Sequence, residues 1–153
     1  IVMRILGHTH SDIGITRQRT IYSLKTVLPI TVALIIAAGL FLLLEKPRFS
    51  PTEGIGFYVF YILISCPAQE LLFRGILSRM LQELRLHRAL ELGVAAALFG
   101  YVHIIYGDML TVVVMSIVGL FWYRAYQRSS NIIGVTISHI VLGVMTIALG
   151  VID

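Results

Sequence analysis

From Thr26 to Leu44 the chain runs 19 residues without a charged side chain, bounded by Lys25 before it and by Glu45 and Lys46 after it. At a rise of about 1.5 Å per residue such a helix crosses roughly 30 Å of hydrocarbon, so the run reads as a membrane span. Pro29, near the start of the run, is tolerated there if it falls in the first helical turn, whose amides have no intrahelical acceptor to lose. The rest of the composition agrees. Across 153 residues, 58% are hydrophobic and 13% charged, with a mean hydropathy of +0.90, outside the range of soluble domains. The expectation is an integral membrane protein, all-α, a polytopic transmembrane helical bundle of about five spans plus an interfacial amphipathic helix.

The second span runs from Ile55 through Phe73, extending to Ser78, after a turn-rich loop from Lys46 to Gly54. Between Arg79 and Arg88, Met80, Leu81, Leu84 and Leu86 alternate with charged and polar residues, the pattern of a helix lying at the headgroups. The third span is Ala89 to Tyr106, followed by a tight turn at Gly107 and Asp108. The fourth is Met109 to Tyr123, closing on Trp122, Tyr123 and Arg124, an aromatic and basic cluster of membrane-boundary type. A polar loop from Gln127 to Asn131 leads into the fifth, Ile132 to Ile152. This divides the chain into an N-terminal segment, 1–25, and a transmembrane domain, 26–153. The chain begins at Ile1 rather than at methionine, as a processed or partial form would, and Ile1 to Thr20 carries no secretory signal pattern.

The net charge of +4 comes from 12 Lys and Arg against 8 Asp and Glu. The basic residues sit between apolar runs rather than on one face, which suits membrane orientation and not a nucleic-acid partner. Five spans put ten of them on one side: Arg4, Arg17, Arg19, Lys25, Arg74, Arg79, Arg85, Arg88, Arg124 and Arg128. Only Lys46 and Arg48 fall on the other. The positive-inside rule then puts the N-terminus and basic loops in the cytoplasm and the C-terminus opposite. The single cysteine, Cys66, excludes an internal disulfide and leaves the redox compartment open.

Within the apolar runs a few ionisable residues stand out. Glu70 and Arg74, four apart, share a helix face and can pair. A charge at membrane depth costs about 2.5 to 3.5 kcal/mol on insertion scales, so it persists when paired, facing protein, or serving a task. His103 and His139 lie in two further spans. Counting about 1.5 Å per residue from the cytoplasmic ends puts Glu70 and His139 about 11 to 12 Å deep and His103 about 20 Å. A carboxylate, a guanidinium and two imidazoles at such depths can activate a water, with Glu or His as base and Arg or His holding an oxyanion. They can equally hold a divalent metal such as zinc through Glu70, His103 and His139, a His₂-carboxylate set.

Glu70-x-x-x-Arg74-Gly75, then Phe99-x-x-x-His103, then His139 in the last span resembles the CPBP family of intramembrane proteases, which includes the type II CAAX prenyl endopeptidases and bacteriocin-processing proteins. The resemblance covers 55–152. It implies an intramembrane endopeptidase acting on a membrane-associated or prenylated peptide, with Gln69, Glu70, Arg74, His103 and His139 as site residues. Two positions depart from the family pattern. Gln69 stands where the first of two adjacent glutamates is expected to activate water, and an amide cannot take that proton. Gly143 stands where an Asn or Asp side chain is expected beside the oxyanion. The alternative expectation is therefore a catalytically inactive member serving as a binding or assembly subunit among other membrane proteins.

Other features have plainer readings. His8 and His10 suit a solvated tail. Gly93, Ala95, Ala96, Ala97 and Gly100 suit close helix packing. Tyr58, Tyr61, Tyr101 and Tyr106 suit interface anchoring.

Overall fold

The computed structural model describes residues 7 and 9–151; Arg4 and His8, and Ile152 at the expected end of the last span, lie outside them. Among the described residues the chain is helical without a strand. A short 3-10 turn, Ser11–Ile13, precedes five helices: α1 (Thr20–Leu44), α2 (Ile55–Glu83), α3 (Arg88–Tyr106), α4 (Met109–Ser129) and α5 (Ile132–Ala148). The first four are long and apolar enough to cross a membrane, and α5 is a shorter apolar helix of 17 residues. The protein is an all-α helical bundle of the membrane.

Three boundaries differ from expectation for identifiable reasons. Helix α1 begins at Thr20, so Pro29 lies well inside it and not in its first turn. The carbonyl of Lys25 accordingly lacks the amide it would pair with in a regular helix. The amphipathic stretch after Ser78 is not a separate interfacial helix. Its first part completes α2, Leu84 to His87 form the turn with Arg85 at φ 52°, and α3 begins at Arg88. Burial prolongs α2: Ser78 and Leu81 face inward, with Leu81 packed beside Tyr123 and Ala95. Helix α4 runs past Tyr123 to Ser129, because Trp122 and Tyr123 are 2% and 1% exposed and belong to the core, not to a boundary belt.

Caps mark the breaks. Asp108 closes the turn after Gly107, which takes a positive φ of 68°, and its carboxylate accepts from the amides of Leu110 and Thr111 at the start of α4. Asn131 does the same for α5 through Ile133, while its Nδ2 donates to the carbonyls of Thr16 and Gln18. One side chain thus ties the chain before α1 to the α4–α5 turn.

The helices meet through small residues. A Cβ at Gly100 of α3 would collide with Ser116 and the Val112 carbonyl of α4, and one at Gly134 of α5 would meet Ser23 of α1. Close approach of this kind supplies the dispersion contacts that hold helices together in lipid, where apolar surface gains little by leaving the tails. Ala95, Ala96 and Gly100 pack as expected, whereas Gly93 and Ala97 face outward. The core between the helices is built on Val27, Phe73, Phe99, Val118, Trp122, Val135 and Leu142.

Candidate functional site

Helix α2 is irregular where it carries the polar residues. Its turns widen at Tyr61–Ser65 and again at Leu71–Ile76, on either side of a regular stretch, Cys66–Glu70. Pro67 has no amide to give the carbonyl of Leu63, so the first wide turn sits where a regular bond is missing.

The two turns aim Glu70 and Arg74 at the bundle centre, where they are 0% and 1% exposed. Glu70 Oε1 accepts from Arg74 Nη1 at 3.2 Å and pairs with His139 Nδ1 of α5 at 2.7 Å. The guanidinium lies 4.1 Å from the centroid of Phe99 and 5.4 Å from that of Trp122. Stacking of this kind recovers part of what the cation loses on leaving water. Glu70 Oε2 and Arg74 Nε have no hydrogen-bond partner, so the pair is incompletely satisfied.

With Nδ1 tied to a carboxylate, the neutral His139 ring carries its proton on that nitrogen and keeps a lone pair on Nε2. The ring is boxed by aromatics: Trp122 tilted at 4.7 Å, Phe99 at 5.9 Å and Tyr61 at 6.0 Å, the last two edge-on. Trp122 is itself fixed from Nε1 to Ser138 Oγ at 3.0 Å, and Ser138 meets Thr31 Oγ1 of α1 at 2.6 Å.

His103 sits in the 3-10 turn Val102–Tyr106 that ends α3, with Nδ1 2.8 Å from the Phe99 carbonyl. That bond makes Nδ1 the donor and leaves Nε2 with a lone pair in the neutral ring. His103 makes no hydrogen bond to Glu70, Arg74 or His139; the Phe99 ring packs against both imidazoles instead.

A cavity of about 220 Å³ opens between α1, α2, α4 and α5 and the end of α3. Its polar lining is Tyr61, Gln69, His103, Tyr106, His139 and Thr146, set among apolar residues such as Leu34, Met115, Val118 and Leu142. Glu70 and Arg74 do not line it. The residues of α2 that do are Tyr61 and Gln69, and Gln69 Nε2 donates to Ser65 Oγ at 3.0 Å. Of the five expected site residues, Gln69, His103 and His139 therefore meet the cavity, while Glu70 and Arg74 stand behind His139.

The metal set does not form. Among the described residues no three His, Cys, Asp or Glu side chains are grouped so as to hold an ion. Oε1 of Glu70 is shared by Arg74 and His139, and His103 bonds its own helix. The donors do not fit a His₂-carboxylate site.

Tyr61 and Trp122 join the site although neither was expected there. Tyr61 is not an interface anchor: its hydroxyl fills the space beside Gly143, where any Cβ would collide with it. The available sign was its position eight residues before Gln69, two turns back on the same helix, opposite a glycine in α5.

Fold and site together define a polytopic membrane protein whose buried acid, base and imidazole come from separate helices around an apolar cavity. The chain belongs to the Rce1-like type II CAAX prenyl endopeptidase family, which matches residues 51–145. That match spans α2 to α4 and α5 through Met145. Helix α1 lies before it, yet supplies Leu34, Ala37, Ala38 and Phe41 to the cavity. No curated protein and no solved structure matches the chain.

Proposed function

We propose that this protein is an intramembrane endopeptidase-like protein that admits a membrane-associated or lipidated peptide to the cavity and hydrolyses it slowly, with His139 as base. The observation that carries this is the 2.7 Å contact between Glu70 and His139 Nδ1, with Glu70 fully buried and His139 lining the cavity. A carboxylate behind an imidazole fixes its tautomer and favours the imidazolium that forms when Nε2 takes a proton. In the proposed step Nε2 removes a proton from water, the hydroxide adds to the scissile carbonyl, and the proton passes to the departing amine. His103, which lines the same cavity, holds the attacking water through its Nε2 lone pair. Arg74 pairs with Glu70 and acts only through it. The basic loops and N-terminus are assigned to the cytoplasm, on the distribution of ten basic residues against two.

A second reading is favoured by one feature: Gln69, not a carboxylate, faces the cavity from α2. On that reading the protein binds a peptide or another membrane subunit without cutting it. Cleavage of a farnesylated peptide by the reconstituted protein distinguishes the two. The first expects slow turnover that falls at least a hundredfold in His139→Ala. Turnover unchanged in that variant would remove His139 from the mechanism, and turnover appearing only in Gln69→Glu would establish the second reading.

A further inference from the structure

At the end of the bundle away from the α1–α2 loop, a polar cleft of about 590 Å³ lies between the ends of α2 and α4 and the start of α3. Four arginines line it: Arg79 from α2, Arg88 from α3, and Arg124 and Arg128 from α4. Two carboxylates, Asp12 and Glu91, share it, so the lining carries a formal charge of 4 − 2 = +2. Glu91 is buried and engaged by the hydroxyl of Tyr123. Arg79 lies 3.5 Å from Glu83, yet its buried Nε has no hydrogen-bond partner. Arg88, Arg124 and Arg128 make no ion pair among the described residues. Guanidiniums gathered so closely repel one another until an anion bridges them, and their planar donors match phosphate oxygens.

Arg124 and Arg128 also line a second space, an apolar groove of about 390 Å³ between α1 and α4, walled by Pro29, Ile30, Ala33 and Phe121. The same two guanidiniums therefore stand where a basic cleft meets an apolar groove running along the bundle. A soluble phosphate would use only the first space. A molecule with a phosphate at one end and a hydrocarbon chain at the other would use both.

We infer that the juxtaposition of the Arg79/Arg88/Arg124/Arg128 cleft with the α1–α4 groove is a binding site for an anionic glycerophospholipid, its phosphate among the arginines and one acyl chain against Ile30, Ala33 and Phe121. The site is separate from the His139 cavity and stands whether or not the protein cleaves peptides. Clustered arginines at the ends of spans attract anionic headgroups, and the attraction weakens as salt screens it.

The test uses the full chain in neutral detergent, titrated with dioleoyl phosphatidic acid, with dioleoyl phosphatidylcholine, and with inorganic phosphate, reading bound lipid by native mass spectrometry and the midpoint of thermal unfolding. Phosphatidic acid should bind at least tenfold more tightly than phosphatidylcholine and raise the midpoint, with both effects reduced at high salt. Arg124→Gln/Arg128→Gln should lose the preference, whereas Arg17→Gln/Lys25→Gln, which removes the same charge elsewhere, should keep it. Ala33→Leu, on an exposed position of the groove, should weaken the lipid at least threefold without changing phosphate binding, and it serves if the double arginine variant does not fold. Equal affinity for the two lipids, an unchanged preference in the arginine variant, or an Ala33→Leu protein that binds as the parent does would each overturn the assignment. Phosphate binding as tightly as the lipid would reduce the site to one for a soluble anion.

Discussion

The phenol of Tyr61 occupies the space directly over Gly143, so that a side chain at position 143 and the ring at position 61 exclude each other. Two helices meet there: α2, at its first wide turn, and α5, one turn beyond His139. The hydroxyl beside the His139 imidazole comes from α2 because α5 has no room to supply a polar group of its own. The missing side chain at Gly143 is thus part of a local exchange and not a bare deletion.

The exchange predicts the behaviour of Gly143→Ala. Its Cβ would meet the hydroxyl and ring atoms of Tyr61, and overpacking of a buried contact costs about 1 to 3 kcal/mol. Tyr61→Phe should not rescue it, because the ring carbons alone approach within 2.7 Å and 2.8 Å of that Cβ. Tyr61→Ala combined with Gly143→Ala should recover part of the loss. The check is the thermal midpoint, in one detergent, of the parent, the single variants Gly143→Ala and Tyr61→Ala, and the two double variants. Additive effects of the two substitutions would show that the positions do not compete.

Glu70 and Arg74 form a pair that stabilises only as a pair. Removing one charge leaves the other buried without compensation, a loss of about 3 to 5 kcal/mol for such pairs. Glu70→Gln and Arg74→Met should each be strongly destabilising, while the double variant should recover much of the deficit, because an uncharged pair of similar volume avoids the desolvation penalty. Equilibrium unfolding of the single and double variants measures the coupling. Arg74→Lys should not behave as the parent, since an ammonium loses the stacking on Phe99.

The family and the membrane character were both legible before any coordinates, and for the same reason: long apolar runs and ionisable residues inside them are strong departures from chance. Glu70 and Arg74 could be paired from spacing alone. That His139, and not His103, completes the group could not, because depth along a span says nothing about which way a helix is rotated. The rotation of α2 is set by its wide turns, which change the phase between Gln69 and the residues two turns earlier. Trp122 and Tyr123 were misread for a related reason. Aromatics next to an arginine resemble a membrane boundary, yet Ser138, Ser78 and Glu91 on neighbouring elements give their polar atoms partners inside the bundle.

Asp108 lies in the turn between α3 and α4, and it should make stability depend on acid pH. The Thr111 hydroxyl, then Arg48 at 2.8 Å, hold its carboxyl below its ordinary 3.8, at about 2. A carboxyl depressed in the folded state contributes stability that is complete above the unfolded value and is lost as pH falls through the folded one. The thermal midpoint should therefore fall between about pH 4 and pH 2 by more in the parent than in Asp108→Asn, whose own midpoint should be lower at neutral pH. Arg48→Gln should narrow that window but not close it, because the Thr111 contact remains. Identical acid profiles for the parent and Asp108→Asn would show that the carboxylate is not held in this way.

Ser138 joins three helices through one hydroxyl, taking the indole N–H of Trp122 in α4 and meeting Thr31 in α1. It is 2% exposed, so no water replaces it readily. Ser138→Ala leaves the indole donor buried without an acceptor, at a cost of about 1 to 3 kcal/mol. Trp122 tilts against the His139 ring at 4.7 Å, so the loss should also loosen the imidazole that lines the cavity. Trp122 is the chain's one tryptophan, which makes the test direct. Its fluorescence should shift and its quenching by acrylamide increase in Ser138→Ala, and Ser138→Thr, which retains the hydroxyl, should restore shielding if its methyl group fits. A tryptophan equally shielded in Ser138→Ala and the parent would show that packing alone holds the indole against His139.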